Sequence, residues 1–169
     1  MTLEIVPFRP DLAPAFERLN RAWIEPLFGI EESDRRVFAD PEAAILRPGG
    51  EICFALLDGV VVGTCAALPH GPGVVELAKM AVDPAAQGRG IGRRLGEAVI
   101  AHARRVGAER VVLLSSSRLP AALALYRRLG FEHRPLPPDT GYRRADVYME
   151  LRLGGEKPSP PVAPRGKEG

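Results

Sequence analysis

Between Gln87 and Arg94 the chain reads QGRGIGRR, setting glycine at positions 88, 90 and 92 among Arg89, Arg93 and Arg94. The preceding run, VVELAKMAVDP, is apolar and strand-like, and the run that follows has helical spacing. A helix start leaves its first backbone N–H groups unpaired and partly positive. Glycines ahead of it let the backbone bend tightly and let a ligand approach without side chains in the way. Together these features make an anion cradle suited to phosphate or pyrophosphate, with arginines at its rim. The alternative is a plain strand-to-helix turn with solvated arginines, which so many closely spaced glycines would only weaken.

Spacing narrows the choice of phosphate compound. A dinucleotide site requires GxGxxG, but after Gly88 and Gly90 the third glycine position is Arg93. The next strand also ends in Ser115-Ser116-Ser117 rather than in the acidic residue that holds a ribose. The GxxxxGK[ST] pattern of a nucleotide P-loop does not occur in the chain.

The elements that must position this turn follow from periodicity and breakers. Leu3 to Phe8 alternates as a first strand, and Asp11 is placed to cap a helix carrying Leu12, Phe16, Leu19 and Trp23 on one face. Pro26 and Gly29 break the next region into a loop and one or two short helices, the second capped by Ser33 or Asp34. ICFALLDGVVVGTCAALP is a hairpin around Asp58-Gly59. VVELAKMAV is a strand, a helix runs from about Gly92 to Val106, RVVLLS is a buried strand, and Pro120 to Leu129 is a helix closed by Gly130. Phe131 begins a strand-like return, and ADVYMELRL is a last strand. An antiparallel half followed by βαβ units implies a mixed α/β sheet with helices on both faces. One domain over residues 1–153 is expected, with a disordered Pro/Gly/charged tail over 154–169.

Composition sets outer limits. A chain of 169 residues suits one domain with a sizeable core. With 23 basic against 21 acidic residues, a dedicated nucleic-acid binder is not expected. Cys53 and Cys65 lie in apolar runs and read as buried free thiols; no metal site is expected. The sequence shows neither a basic-then-apolar leader nor a membrane-length apolar run, so the expectation is a cytoplasmic protein with no membrane association. His70 and His102 read as exposed and without catalytic partners.

Gln87-Gly88-Arg89-Gly90-Ile91-Gly92 fits the pattern Q/R-x-x-G-x-G/A, and ALALYRRLGF follows from Ala122 to Phe131. In these segments, their order and their separation, the chain resembles the GNAT N-acetyltransferase family, over residues 1–153 and most strongly over 74–134. That resemblance implies a central, mostly antiparallel twisted sheet, splayed where acetyl-CoA enters. It implies acetyl transfer from the thioester to a primary amine by direct attack in a ternary complex, with acetyl-CoA as cosubstrate and no metal. The turn residues Gln87, Gly88, Arg89, Gly90, Ile91, Gly92 and Arg93 would hold the pyrophosphate. Met80, Ala81 and Val82 match the strand end that pairs with the pantetheine arm, with an oxyanion donor near the Val82 N–H.

Three chemical tasks remain: deprotonating the amine, stabilising the developing oxyanion, and protonating the thiolate. Tyr126 matches the family tyrosine near the coenzyme sulfur and is the candidate acid; it also reads as a core aromatic beside Leu123, Leu125 and Leu129. Glu76 occupies a place where relatives often carry the base, and a carboxylate in an apolar strand is costly unless it faces a wet cleft. An exposed strand start is the other reading of Glu76. Many relatives place an asparagine before the second helix; here Ser117 either replaces that contact or caps the helix. Trp23, Phe28 and Glu31 fall where the family builds its acceptor wall, and aromatic and acidic residues there suit a cationic amine. A solvated acidic loop over a core Trp and Phe is the bland alternative. TGYRRAD offers Tyr142 or Arg143 to the same cleft, while Arg143 and Arg144 also read as surface charges. The expected partner is a small-molecule or peptide amine, and a homodimer through a sheet edge is possible. A non-catalytic acyl-CoA sensor is the rival function, and another acyl group or acceptor atom is a further one.

Overall fold

A computed structural model describes residues 1–154 of the chain. The tail expected from residue 154 therefore lies, beyond Gly154, outside the described residues. Seven strands form one sheet in the order β1-β2-β3-β4-β5-β7-β6. They are β1 (Leu3–Pro7), β2 (Glu51–Leu57), β3 (Val60–Pro69), β4 (Val74–Val82), β5 (Arg110–Ser115), β6 (Glu132–Arg134) and β7 (Val147–Arg152). Every neighbouring pair is antiparallel except β4 with β5. The hairpin between β2 and β3 turns at Asp58 and Gly59, both with positive φ, as a tight two-residue turn requires.

Period-two alternation sorts the strand side chains to two faces. Ile52, Phe54 and Ala66 pack with Leu12, Phe16, Ile24 and Phe38, beneath α1 (Ala13–Phe28) and α2 (Glu32–Ala39). Cys53, Ala55, Cys65 and Ala67 pack on the opposite face with Ile91, Leu95 and Val99 of α3 (Ile91–Arg105) and Leu123 and Tyr126 of α4 (Pro120–Leu129). Helices cover both faces, so both thiols are enclosed, and burial pushes the Cys53 thiol up to about 12. Among the described residues no helix is long and apolar enough to cross a membrane.

Four local expectations are corrected. The first helix does not stop at Pro26 but runs to Phe28, with the Gly29 N–H closing the last turn on the Ile24 and Glu25 carbonyls. Asp11 caps nothing; Pro10–Leu12 forms a short 3-10 turn that leads into α1. The cap of α2 is Glu31, two residues before Ser33 and three before Asp34. Glu31 accepts from the backbone of Asp34, and the Asp34 carboxylate accepts the Glu31 N–H at 2.9 Å, a reciprocal capping box. His102 is also not exposed: it lies on the face of α3 that carries Val99 and Ala103, 8% accessible, with Nδ1 2.8 Å from Glu51.

Two backbone features shape the middle of the sheet. The parallel pairing of β4 and β5 covers only Val74, Val75 and Glu76, although both strands continue beyond it. From Leu77 to Val82 the edge of β4 that faces β5 is therefore unpaired, and a gap opens. Opposite, β3 and β4 slip register between Thr64–Ala81 and Ala66–Ala78, so Lys79 and Met80 together oppose Cys65. Lys79 takes a left-handed φ of 54° in this bulge. Strict alternation would put Lys79 with Val75 and Leu77 on the α3 face; the extra residue aims it at α2 instead.

Candidate active site

The gap between β4 and β5 is the bottom of a cleft that is partly open to solvent, with a volume of about 80 Å³. β4 supplies Glu76, Leu77, Ala78, Lys79 and Met80, while β5 and its end supply Leu114, Ser115 and Ser116. Trp23 and Phe28 of α1 close one side, their rings edge to face at 6.4 Å, and Tyr126 of α4 closes the other. The segment before β7 adds Tyr142, Arg144 and Ala145. Of the residues expected from the sequence, the structure thus brings Glu76, Met80, Tyr126, Trp23 and Phe28 into one cleft.

Glu76 is the last β4 residue paired with β5, so its carboxyl sits where the strands part. Burial pushes its pKa up, and the neighbouring His70 and Lys79 only partly counteract this. The core reading of Tyr126 holds, with its ring against Phe131, and the residue also has a face on the cleft. Burial raises the phenol pKa, which keeps the hydroxyl protonated.

The glycine turn follows β4, and its Gly92 lies near Met80, a lining residue of the cleft. Gly90 is the N-cap of α3 with φ 74°, and no side chain caps the helix. A Cβ at Gly88 or Gly90 would meet nothing within 4 Å, so the outer side of the turn is open backbone. The first helical bond here runs from Arg94 N–H to Gly90, leaving the amides of residues 91–93 free for an anion. A phosphate fits this donor set. Gly92 is different, because its Cβ would lie 3.0 Å from Leu125 Cδ2 and 3.8 Å from Met80 Sδ. It is a packing glycine that lets α3 approach α4 and β4, and only its N–H remains for a ligand. The Ile91 side chain is likewise core, 2% accessible. Arg93 is paired with Glu97 at 3.0 Å, Arg89 is exposed with Nη1 3.3 Å from Met1 Sδ, and the Gln87 amide donates to the Val82 carbonyl at 3.4 Å. Ala81 is buried opposite Thr64.

Two expected contacts are corrected. The Glu31 carboxylate is used up as a cap, as an acceptor for the Arg143 N–H at 2.8 Å, and as a partner of Arg144 at 3.2 Å; it does not line the cleft. Ser117 neither lines the cleft nor caps α4. Its N–H and hydroxyl both bond to Asp146, and Ser115 and Ser116 face the cleft in its place.

The sequence reading missed the charge network beneath the cleft. Asp34, fully buried, accepts both Arg144 Nη atoms at 2.7 Å and Lys79 Nζ at 2.6 Å. Burial alone would raise its pKa, but Arg144 and Lys79 outweigh that and hold the carboxyl well below the usual range. Lys79 Nζ also donates to the Tyr142 hydroxyl at 3.0 Å and lies 4.6 Å from that ring's centre. The one available signal was Lys79 itself, a cation inside an apolar strand, which demands a buried partner. Among the described residues no cluster of three or more His, Cys, Asp or Glu is placed to hold a metal.

The acetyltransferase (GNAT) family profile matches residues 14–131. The N-acetylaspartate synthetase of Rattus norvegicus is 42% identical over 98 residues, 56% of this chain, and the chain spans only 32% of that relative. YjgM, an uncharacterized N-acetyltransferase of Escherichia coli (strain K12), is 31% identical over 128 residues, 71% of this chain and 76% of that protein. The structure of YncA from Salmonella typhimurium, a putative acetyltransferase with its cofactor acetyl-CoA, superposes with a TM-score of 0.70 at 25% identity, over 96% of this chain and all of that one. With the profile, the sequence relatives and the splayed sheet in agreement, this chain belongs to the GNAT acetyltransferase family.

Proposed function

We propose that this protein transfers an acetyl group from acetyl-CoA to a primary amine by direct attack in a ternary complex. One observation carries the reading: a half-buried carboxyl, Glu76, and a buried phenol, Tyr126, line the same cleft, and the strand that floors this cleft leads into an uncapped helix N-terminus fronted by open glycine backbone. Acetyl-CoA supplies the activated acetyl group. The turn at residues 88–93 binds its diphosphate through backbone N–H groups, and the free edge of β4 after Glu76 accepts the pantetheine arm as an added strand would. Glu76 takes the proton from the acceptor nitrogen, directly or through water. Its raised pKa brings it closer to working pH, where a base is most effective. Tyr126, held protonated, gives a hydrogen to the departing sulfur. A backbone N–H near Val82 faces the developing oxyanion.

The test measures acetyl-CoA binding by calorimetry and thiol release with a broad amine panel. Binding at micromolar to millimolar coenzyme with amine-dependent thiol release is expected. Binding without release from any amine would favour a sensor, and no binding would remove both readings. Tyr126→Phe should lower kcat about 100-fold while leaving coenzyme affinity within a few-fold; an unchanged kcat would reject its acid role.

A further inference from the structure

The donors and acceptors around the cleft do not balance. Lys79 has three N–H hydrogens and spends two, on Asp34 at 2.6 Å and the Tyr142 hydroxyl at 3.0 Å. Because the Tyr142 oxygen accepts that bond, its own O–H remains to donate. Arg144 has five N–H hydrogens and spends three bonds, all on Glu31 and Asp34, so its Nε–H and one Nη2 hydrogen are left. Asp34 is saturated: each oxygen accepts two bonds, from Lys79, Arg144 twice, and the Glu31 N–H. Trp23, on the same wall, has a buried Nε1 without an acceptor. Against these donors, Glu76 is the one carboxylate side chain among the lining residues.

We propose that the acceptor amine carries a carboxylate close to its nitrogen, as a free amino acid does, and that Lys79, Tyr142 and Arg144 bind this carboxylate. The inference rests on the N-acetyl transfer reading above. Asp34 and Glu31 neutralise the two cations from behind, so the site is not a bare positive charge. It offers directed donors, which a carboxylate's two oxygens can satisfy together. A polyamine would bring further donors to a donor-rich wall and leave both sides unpaired. The ends are also sorted, with the nitrogen belonging to Glu76 and the carboxylate to the Lys79–Arg144 side.

The experiment compares kcat/KM for free L-amino acids, their amides at each carboxylate, and the corresponding decarboxylated amines. The acid should exceed its amide and its decarboxylated amine by about 100-fold or more, since a site built for a polar group rejects the analogue lacking it. Tyr142→Phe and Lys79→Gln should each shrink the acid-to-amide ratio by about ten-fold, mainly through KM for the acid. A purely structural role would lower acid and amide alike. Turnover of amines with an acid-to-amide ratio near one overturns this inference and leaves acetyl transfer intact, as does a ratio that neither variant alters. Absence of thiol release with every amine, despite acetyl-CoA binding, overturns the transfer reading and this inference with it.

Discussion

At the residue scale, Glu76 has two consequences of opposite kind. Its ordinary pKa of 4.5 is raised because burial disfavours the charge. As a base it works only when ionised, so activity should rise through a limb whose midpoint lies above 4.5. Glu76→Gln should remove that limb and lower the plateau about 100-fold, while any limb from the amine's own ionisation persists in both proteins. A limb retained in the variant would reassign the base. The same shift acts on stability in the other direction. A folded pKa above the unfolded one means ionising Glu76 costs stability as pH rises, so the variant should gain on the wild type from acid towards neutral pH. Denaturant midpoints at several pH values report that difference. Glu76 and Tyr126 were legible in the sequence because each lies within or beside a recurrent segment; Lys79, three residues from Glu76, was not. Its role depends on Asp34, distant in sequence, and on a bulge that no period-two reading anticipates.

At the scale of elements, the strand–turn–helix unit of β4 and α3 can be tested by its glycines. Gly90 and Gly107 bound the same helix, each with φ 74° and nothing within 4 Å of a new Cβ. Alanine at either position costs about 1–2 kcal/mol of backbone strain. Only the Gly90→Ala methyl intrudes on the proposed diphosphate site. We expect similar losses of stability from the two variants, but a weaker acetyl-CoA Kd, by about ten-fold, for Gly90→Ala alone. Equal affinities would remove the turn from coenzyme binding. Most element boundaries followed from sequence punctuation: Asp58-Gly59 and Gly130 occupy the left-handed turns their positions suggested. Pro26 misled because it forfeits only one bond, to the Ala22 carbonyl, and α1 still runs on to Phe28 and closes through the Gly29 N–H.

For the whole molecule, Asp34 is a tie point. It joins α2 to the β4 bulge through Lys79 and to the segment before β7 through Arg144, over 45 and 110 residues of chain. Asp34→Asn leaves the buried Lys79 ammonium without its anion and Arg144 with Glu31 alone, and should cost about 3–5 kcal/mol at neutral pH. Because the folded pKa is depressed below the ordinary 3.8, the wild-type advantage is complete above that value and shrinks as pH falls below it. Urea unfolding of both proteins from pH 7 down to 3 should show the gap narrowing; a constant gap would mean the carboxylate's charge is not what stabilises it.

By itself the sequence determined the order of elements, the two-faced core, the glycine turn ahead of a helix and the family, since these depend on local periodicity, on turn chemistry and on motifs contiguous in the chain. Only the tertiary structure decided which side chains share the cleft. Strand parting after Glu76 and the Lys79 bulge are set by pairing between distant segments. They turned Glu31 from an expected part of the amine wall into a helix cap and partner of Arg144, and made Asp34 the buried counter-charge of Lys79 and Arg144.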